Sequence, residues 1–442
     1  MQLTNENDLS SLNRREFLLG ASAAGGALLS EPLSSLSEVP AGSPQSPEAA
    51  ARHPRTVPPP SPVHTDFEVG VIRFDGWEHW QKDSPWKPVR SYPDRRPVLG
   101  YYDSSLPEVL DWEIKWMLEC GISYAVHCWY RKNDNVGKPV TVNDLFLQNA
   151  IHRGFFHAKY RDLFRFAIMW ENQNAGGVAS ESDLLDNLLP FWIANYFKHP
   201  SYYKLNGVPV LYVYEPRGAI KQLGGVEKTK SALDRVRQSV RQSGFPGLLI
   251  FCEYRGLDPS VLAAIAGAGF DAQFAYCVDM NEAATAATGK DLVALADLYP
   301  SPQQVLEWQL NYFESRKRQA AFPMITTASV GWDPKPWEQP QGADYLTPHG
   351  MNRWRLSPEQ YGSLLRSLKQ LNASLPAKHP YRKTILLDNW NEFGEGHFIS
   401  PHQGAGFGHL KAVREVFSSR DNHPDYRSPF ELGFGPYDLD PA

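Results

Sequence analysis

Cysteine is scarce in this sequence, and the four that occur, Cys120, Cys128, Cys252 and Cys277, never fall into a C-x-x-C spacing. That excludes a zinc ribbon or a thioredoxin-like redox pair. Buried free thiols are expected, with a Cys252–Cys277 bridge left open. Charge of one sign is lacking too: 44 Lys and Arg against 49 Asp and Glu leave a formal −5, so no basic field exists for nucleic acid. There is no glycine-rich phosphate loop after the first strand-like run, where Phe74 is followed by Asp75, Gly76, Trp77, Glu78, His79 and Trp80. A dinucleotide site is therefore not expected. G-x-S-x-G and H-E-x-x-H are absent as well. Glu395, His397 and His402 lie near one another in the chain but lack paired-His helical spacing, so neither a serine hydrolase nor a metal site is expected, and no cofactor.

A long hydrophobic run is also missing. The Ala/Gly/Leu stretch that ends at Leu29 is too short for a confident membrane span, so no stable membrane anchor is expected. It follows Asn13-Arg14-Arg15-Glu16-Phe17-Leu18-Leu19, which closely resembles a twin-arginine export motif. Val39-Pro40-Ala41 offers small residues for cleavage. Residues 1–41 read as a signal peptide, which makes the twin-arginine export machinery a partner and the periplasm or the exterior the destination. Its removal takes away five acidic and two basic residues, so the net charge moves from −5 to −2. Residues 42–64 are rich in Pro, Ser and Ala without an apolar period and read as a disordered linker; residues 65–442 read as one folded domain.

What the chain has in plenty is aromatic and apolar mass: 42% hydrophobic residues with 13 Trp, 20 Tyr and 22 Phe, enough for a sizeable core or for stacking platforms under a flat ligand. From residue 67 short β-branched and aromatic runs recur at 67–74, 122–130, 164–172, 209–215, 247–253, 270–278, 323–332 and 384–393, with helix-like segments between them. Eight such alternations point to a single (β/α)8 TIM barrel, an α/β fold. Several runs end in polar or aromatic residues. Examples are His127 to Tyr130, Trp170 to Asn174, Tyr212 to Glu215, Glu253 to Arg255, Gly331 to Asp333 and Asn389 to Glu392. In a barrel those ends converge on one face, where ligands bind.

A face lined by Trp, Tyr, Asn and carboxylates suits a carbohydrate: aromatic rings cover the C–H face of a sugar while Asn, Asp and Glu pair with its hydroxyls. Cleaving a glycosidic bond further needs two carboxyl groups in different environments. Glu392 and Glu395 are the pair, three residues apart at a strand exit, with Gly394 and Gly396 giving the turn freedom. The substrate-binding candidates are Asp103, His127, Trp129, Trp170, Glu171, Asn172, Gln173, Tyr214, Trp332, Asp333, Trp390 and Asn391. Asp103 reads equally as a helix cap before Pro107, and His127 reads more readily as a satisfied barrel histidine than as a substrate contact. Glu215 and Glu253 are reserve carboxylates.

NWNEFGEGHFISP, residues 389–401, resembles the N-E-W-x-E-G signature of glycoside hydrolase family 99 and the related WbsX-type, family-99-like domains. GYYDSSLPEVLDWEIKWMLECGISYAVHCWY, FRFAIMWENQN, LNGVPVLYVYEP and VGWDPKPW look like later and earlier landmarks of the same group, in order, across about residues 67–418. The resemblance implies a retaining, endo-acting α-mannosidase chemistry on an oligo- or polysaccharide. Glu392 would assist the substrate 2-hydroxyl in its attack on the anomeric carbon, and Glu395 would be general acid, then base. The chain departs from the pattern at Phe393, where Trp is usual, and at Gln173, where the group usually has Glu within W-A-N-E-N. WbsX-type relatives also carry the name of glycosyltransferases, and a glycan-binding barrel without catalysis is the third reading.

Overall fold

A computed structural model of the chain describes residues 56–78, 84–173, 176–289, 300–318, 322–338 and 353–439. The expected signal peptide lies outside these residues. Among the described residues, eight parallel strands alternate with helices. They are β1 (Glu68–Arg73), β2 (Tyr124–Arg131), β3 (Arg165–Trp170), β4 (Val208–Val213), β5 (Leu249–Glu253), β6 (Ala272–Phe274), β7 (Thr326–Ala328) and β8 (Thr384–Leu387). Each overlaps one of the apolar runs of the sequence, with Arg131 and Val208 lying one residue outside theirs. Pairing runs in order from β1 to β6, and β8 joins β1 to β7. The last seam is closed by Gln273, whose N–H donates to Pro323 O at 3.0 Å and whose carbonyl accepts from Ile325 N at 2.8 Å. The protein is a (β/α)8 barrel.

Helices cover the outside, so most strand residues are buried on both faces, which is why the runs read as continuously apolar. Alternation sorts them. On β2, Tyr124 faces the axis and meets Tyr212 of β4 across it, hydroxyl to hydroxyl at 3.0 Å. Phe251 and Phe274 pack edge-on against the Tyr212 ring at 5.5 and 5.2 Å. Gly70 of β1 makes room for this layer: a Cβ there would sit 2.3 Å from Tyr124 Cζ. The interior is thus filled by side chains, as a barrel of this size requires.

The helix Pro107–Glu119 follows the expected punctuation, with Pro in its first turn and Gly121 at φ 84° just beyond its end. The disordered linker expected over 42–64 does not extend through its last nine residues. Val57 and Val63 are buried, Ser61 N donates to Glu119 Oε1 at 3.0 Å, and Val63 N donates to Leu118 O at 3.1 Å. Two valines among the prolines supply enough apolar surface to pin this stretch to the helix. All four cysteines are buried and free, so the Cys252–Cys277 bridge is not formed. No helix among the described residues is long and apolar enough to cross a membrane.

Candidate active site

Beyond β8 the chain does not simply exit into a turn. Asn391–Glu392 and His397–Phe398 pair antiparallel, with Glu392 opposite His397, so residues 393–396 form the tip of a tight hairpin at the C-terminal mouth of the barrel. Its two glycines have separate reasons. Gly396 stands at φ 78°, and a Cβ would lie 2.7 Å from Asp333 N and 2.8 Å from Asp333 O. At Gly394 a Cβ would fall 2.0 Å from the Trp337 ring. The tip is clamped from outside: Arg355 donates to Gly396 O at 2.6 Å and Phe398 O at 3.0 Å, and Arg95 donates to Phe393 O at 2.9 Å.

This clamping holds Glu392 and Glu395 in a buried position, a place carboxylates occupy only with partners. One hydroxyl serves both: Tyr276 Oη, on the chain just past β6, lies 3.4 Å from Glu392 Oε2 and 3.5 Å from Glu395 Oε2. Asn389 Nδ2 donates to the same hydroxyl at 3.1 Å. Behind Glu395 stands His397, whose Nε2 is 2.8 Å from Glu395 Oε2 and whose Nδ1 is 3.5 Å from Asp388 Oδ2. Burial by itself would lower the imidazole's pKa; the two carboxylates outweigh it and raise it to about 9. Burial in turn pushes the Asp388 carboxyl upward.

Cys277, Asp388 and His397 place donor atoms within 4.8 Å of one another. Burial pushes the Cys277 thiol well up, so it keeps its proton, and the His397 imidazole is protonated between two carboxylates.

The other sequence candidates fall into three groups. Tyr214 and Trp332 join the carboxylates: Tyr214 lies 5.5 Å edge-on to Tyr276, and the half-buried Trp332 ring is 5.2 Å from His397. Glu171 is buried on the axis side of β3, opposite to Trp170 by alternation. A second group is spent on structure. Both amide atoms of Asn391 are occupied, Oδ1 accepting from Phe74 N and Nδ2 donating to Phe74 O and Tyr102 Oη, so its expected substrate role gives way to a latch between β8 and β1. Asn172 latches Glu215 in the same manner, at 2.8 Å in each direction. Asp333 is held by Arg95 at 2.7 Å, and Asp103 Oδ1 accepts from Ser105 N at 2.7 Å, a turn contact ahead of the helix, whose N-cap is Leu106 without a side-chain cap. Trp390 is fully buried, and its N–H extends the β8–β1 ladder to Ile72 O.

The third group points the wrong way. Trp129 and Trp170 face the helical layer, each within 5.5 Å of Trp192, and Trp129 Nε1 donates to Tyr196 Oη at 2.8 Å. His127 lies on the same outer face of β2, with its Nδ1 2.9 Å from Asp75, which also pairs with Arg73. A strand-end residue is as often outward as inward, and position in the chain does not say which. Gln173 is exposed.

Sequence reasoning passed over Tyr276, Asp388, Asn389 and the role of His397. The signal for Tyr276 was the end of the sixth run, FAYCV; Asp388 and Asn389 sit in the quoted stretch before the carboxylates. At the exit of β1, Glu78 is another buried carboxyl, raised to about 7 by burial, with Asp103 and Asp75 nearby adding to the effect.

Known proteins bear on this geometry in two ways. The structure is similar to the family-99 endo-α-mannosidase of Bacteroides thetaiotaomicron, with a TM-score of 0.52 at 15% identity over 80% of this chain and 97% of that one. A solved structure described as a glycoside hydrolase-like protein gives 0.55 at 16% identity over 82% and 97%. At such identities the likeness concerns the fold alone, a (β/α)8 barrel. In sequence, the chain is 22% identical over 356 residues to the uncharacterized protein WxcX of Xanthomonas campestris pv. campestris, and it spans about half of that relative's length (46%, against 78% of this chain). The family described as glycosyltransferase WbsX matches residues 73–413. That match takes in the barrel from the end of β1 to the last helix together with the Glu392–Glu395 hairpin, and the chain belongs to the WbsX family.

Proposed function

We propose that the protein hydrolyses a glycosidic bond in an oligo- or polysaccharide. The observation that carries this reading is the pair of buried glutamates on one clamped hairpin at the barrel mouth, joined through a single tyrosine hydroxyl. Binding a sugar calls for hydroxyl partners and a flat apolar wall; it does not call for two carboxyls desolvated side by side, which is costly unless their proton affinities are put to use. Glu392 draws the proton from the substrate's 2-hydroxyl as that oxygen attacks the anomeric carbon. Glu395 gives a proton to the departing oxygen. Water then attacks the anomeric carbon and gives a proton to Glu395 as the new bond from that carbon to the 2-oxygen breaks. Glu392 returns its proton to the 2-oxygen, so the sugar leaves with its original anomeric configuration. Tyr214 and Trp332 flank the carboxylates and line the sugar's place. The barrel likeness to endo-α-mannosidases favours an α-linked, mannoside-like substrate.

The rival reading, transfer of a sugar, has the family's description behind it. It needs an activated donor such as a nucleotide sugar, a cytoplasmic compound. Arg14 and Arg15 within a twin-arginine motif favour export, so an exported hydrolase is the coherent reading of the whole chain. Replacing both arginines by Lys should trap the precursor inside the cell; normal export would remove this part of the proposal.

The test is to incubate the wild type and Glu395→Gln with a panel of α- and β-linked oligosaccharides and look for released sugar. Cleavage by the wild type alone supports the proposal. Product formed only when a nucleotide sugar is supplied would favour the transferase, and binding without turnover would favour a glycan-binding barrel.

A further inference from the structure

We propose that His397 is a positioning residue for this reaction: set between Asp388 and Glu395, it orients the Glu395 carboxyl and stabilises the carboxylate formed when Glu395 gives up its proton. The proposal rests on Glu395 being the proton donor of the hydrolysis proposed above. Three side chains stand in line, Asp388 Oδ2, His397 Nδ1 and Nε2, and Glu395 Oε2, at 3.5 and 2.8 Å, and all three are buried. The backbone holds both ends of the line. Asp388 accepts from Val330 N at 3.1 Å and Asn389 N at 2.9 Å, and Asp333 N donates to Glu395 O at 2.7 Å.

Chemistry follows from where the protons are. An imidazolium donates from both nitrogens, so Nε2–H occupies Glu395 Oε2 and fixes the plane of the carboxyl. In the bond-breaking step, the C–O electron pair goes to the leaving oxygen, the Glu395 O–H bond breaks, and its proton joins that oxygen. The new carboxylate faces a cation in a dry site, where such an interaction is strongest. Water later returns a proton to Glu395, and His397 keeps its own throughout. Asp388 keeps the imidazole charged where burial alone would strip its proton.

Other charged or titratable groups face this line. Cys277, from the chain past β6, keeps its proton and remains neutral, and Tyr276 approaches the His397 ring edge-on at 5.2 Å. Glu392 is the cross-strand neighbour of His397. The Arg355 guanidinium, from the short strand Trp354–Arg355, binds the backbone on both sides of His397 at Gly396 O and Phe398 O. Losing the imidazolium removes a positive charge from beside Glu395, which raises its proton affinity and weakens it as an acid.

The test joins a titration to a kinetic profile. In wild-type protein the 15N-labelled His397 imidazole should titrate near pH 9 and fall toward the ordinary histidine range in Glu395→Gln. With the panel sugar that the wild type cleaves, His397→Gln should lower kcat by roughly 10- to 100-fold and move the alkaline limb of the pH–rate profile up by about one unit. Glutamine can still donate a hydrogen bond to Glu395 but carries no charge, so a purely steric role would leave both the rate and the limb where they are, and that result overturns the proposal. An ordinary pKa for wild-type His397 overturns it without any variant having to fold. A wild type that cleaves nothing on the panel removes the hydrolase reading and the role of His397 in it together, whereas an active wild type with an unshifted His397→Gln profile removes the role alone.

Discussion

At the scale of single residues, the site is a set of groups whose charges would be unaffordable if separated. Glu392→Gln and Glu395→Gln should each abolish cleavage while thermal unfolding stays cooperative; an active double variant would sink the assignment. His397 adds a pH dependence to stability. Its pKa is raised to about 9 in the folded protein, above the ordinary histidine value, so its contribution is fully present below pH about 6.5 and is lost as pH rises through 9. Denaturant midpoints of wild type and His397→Gln, compared at pH 7 and pH 9.5, should therefore differ more at the lower pH. Gly396 is the most constrained backbone position of the hairpin. Gly396→Ala should cost roughly 2 kcal/mol or more, because a positive φ and contact with the Asp333 backbone leave no cheap relaxation. An alanine variant of full stability would show that the tip can rearrange.

The element that matters most is the hairpin after β8, and its placement depends on a latch rather than on its own turn. Asn391 ties the hairpin to the end of β1 through the N–H and carbonyl of Phe74, and Trp77 Nε1 donates to Asn391 O at 2.9 Å. Asn391→Ala deprives buried backbone groups of these partners, so it should cost roughly 3 kcal/mol in urea unfolding and lower activity together with stability. A variant that lost activity but kept full stability would point instead to a direct substrate contact. The sequence marked Asn391 as a substrate-binding candidate but could not say that its amide is consumed by the fold. At β2 and β3 the same limit shows as orientation. His127, Trp129 and Trp170 carry the right chemistry at the right end of a strand, and alternation turns them toward the helices.

For the whole molecule, the barrel is closed by a short seam and braced where its two ends meet. The stretch 56–64 lies on the helix Pro107–Glu119, and Asn422 from the far end donates to Ser61 O at 2.6 Å and Glu119 O at 3.0 Å. Ser419 N also donates to His64 O at 2.9 Å. A protein lacking residues 1–64 should be less stable than one lacking 1–55 by roughly 3 kcal/mol, the worth of burying Val57 and Val63 before any hydrogen bond is added. Equal melting temperatures for the two truncations would show that this brace contributes nothing.

By itself the sequence determined the eight strands and the helices between them, because apolar periodicity and Pro/Gly punctuation are local properties. It also carried the Glu392–Gly394–Glu395–Gly396 spacing, whose residue types are those a clamped, carboxylate-bearing turn requires. Only the tertiary structure decided which strand-end side chains face the axis and which partners they find. Tyr276 meets Glu392 and Glu395 across 116 and 119 residues of chain, and His397 acquires its charge because folding sets it between Asp388 and Glu395. Contacts of that separation arise from closing the barrel, which no local pattern encodes.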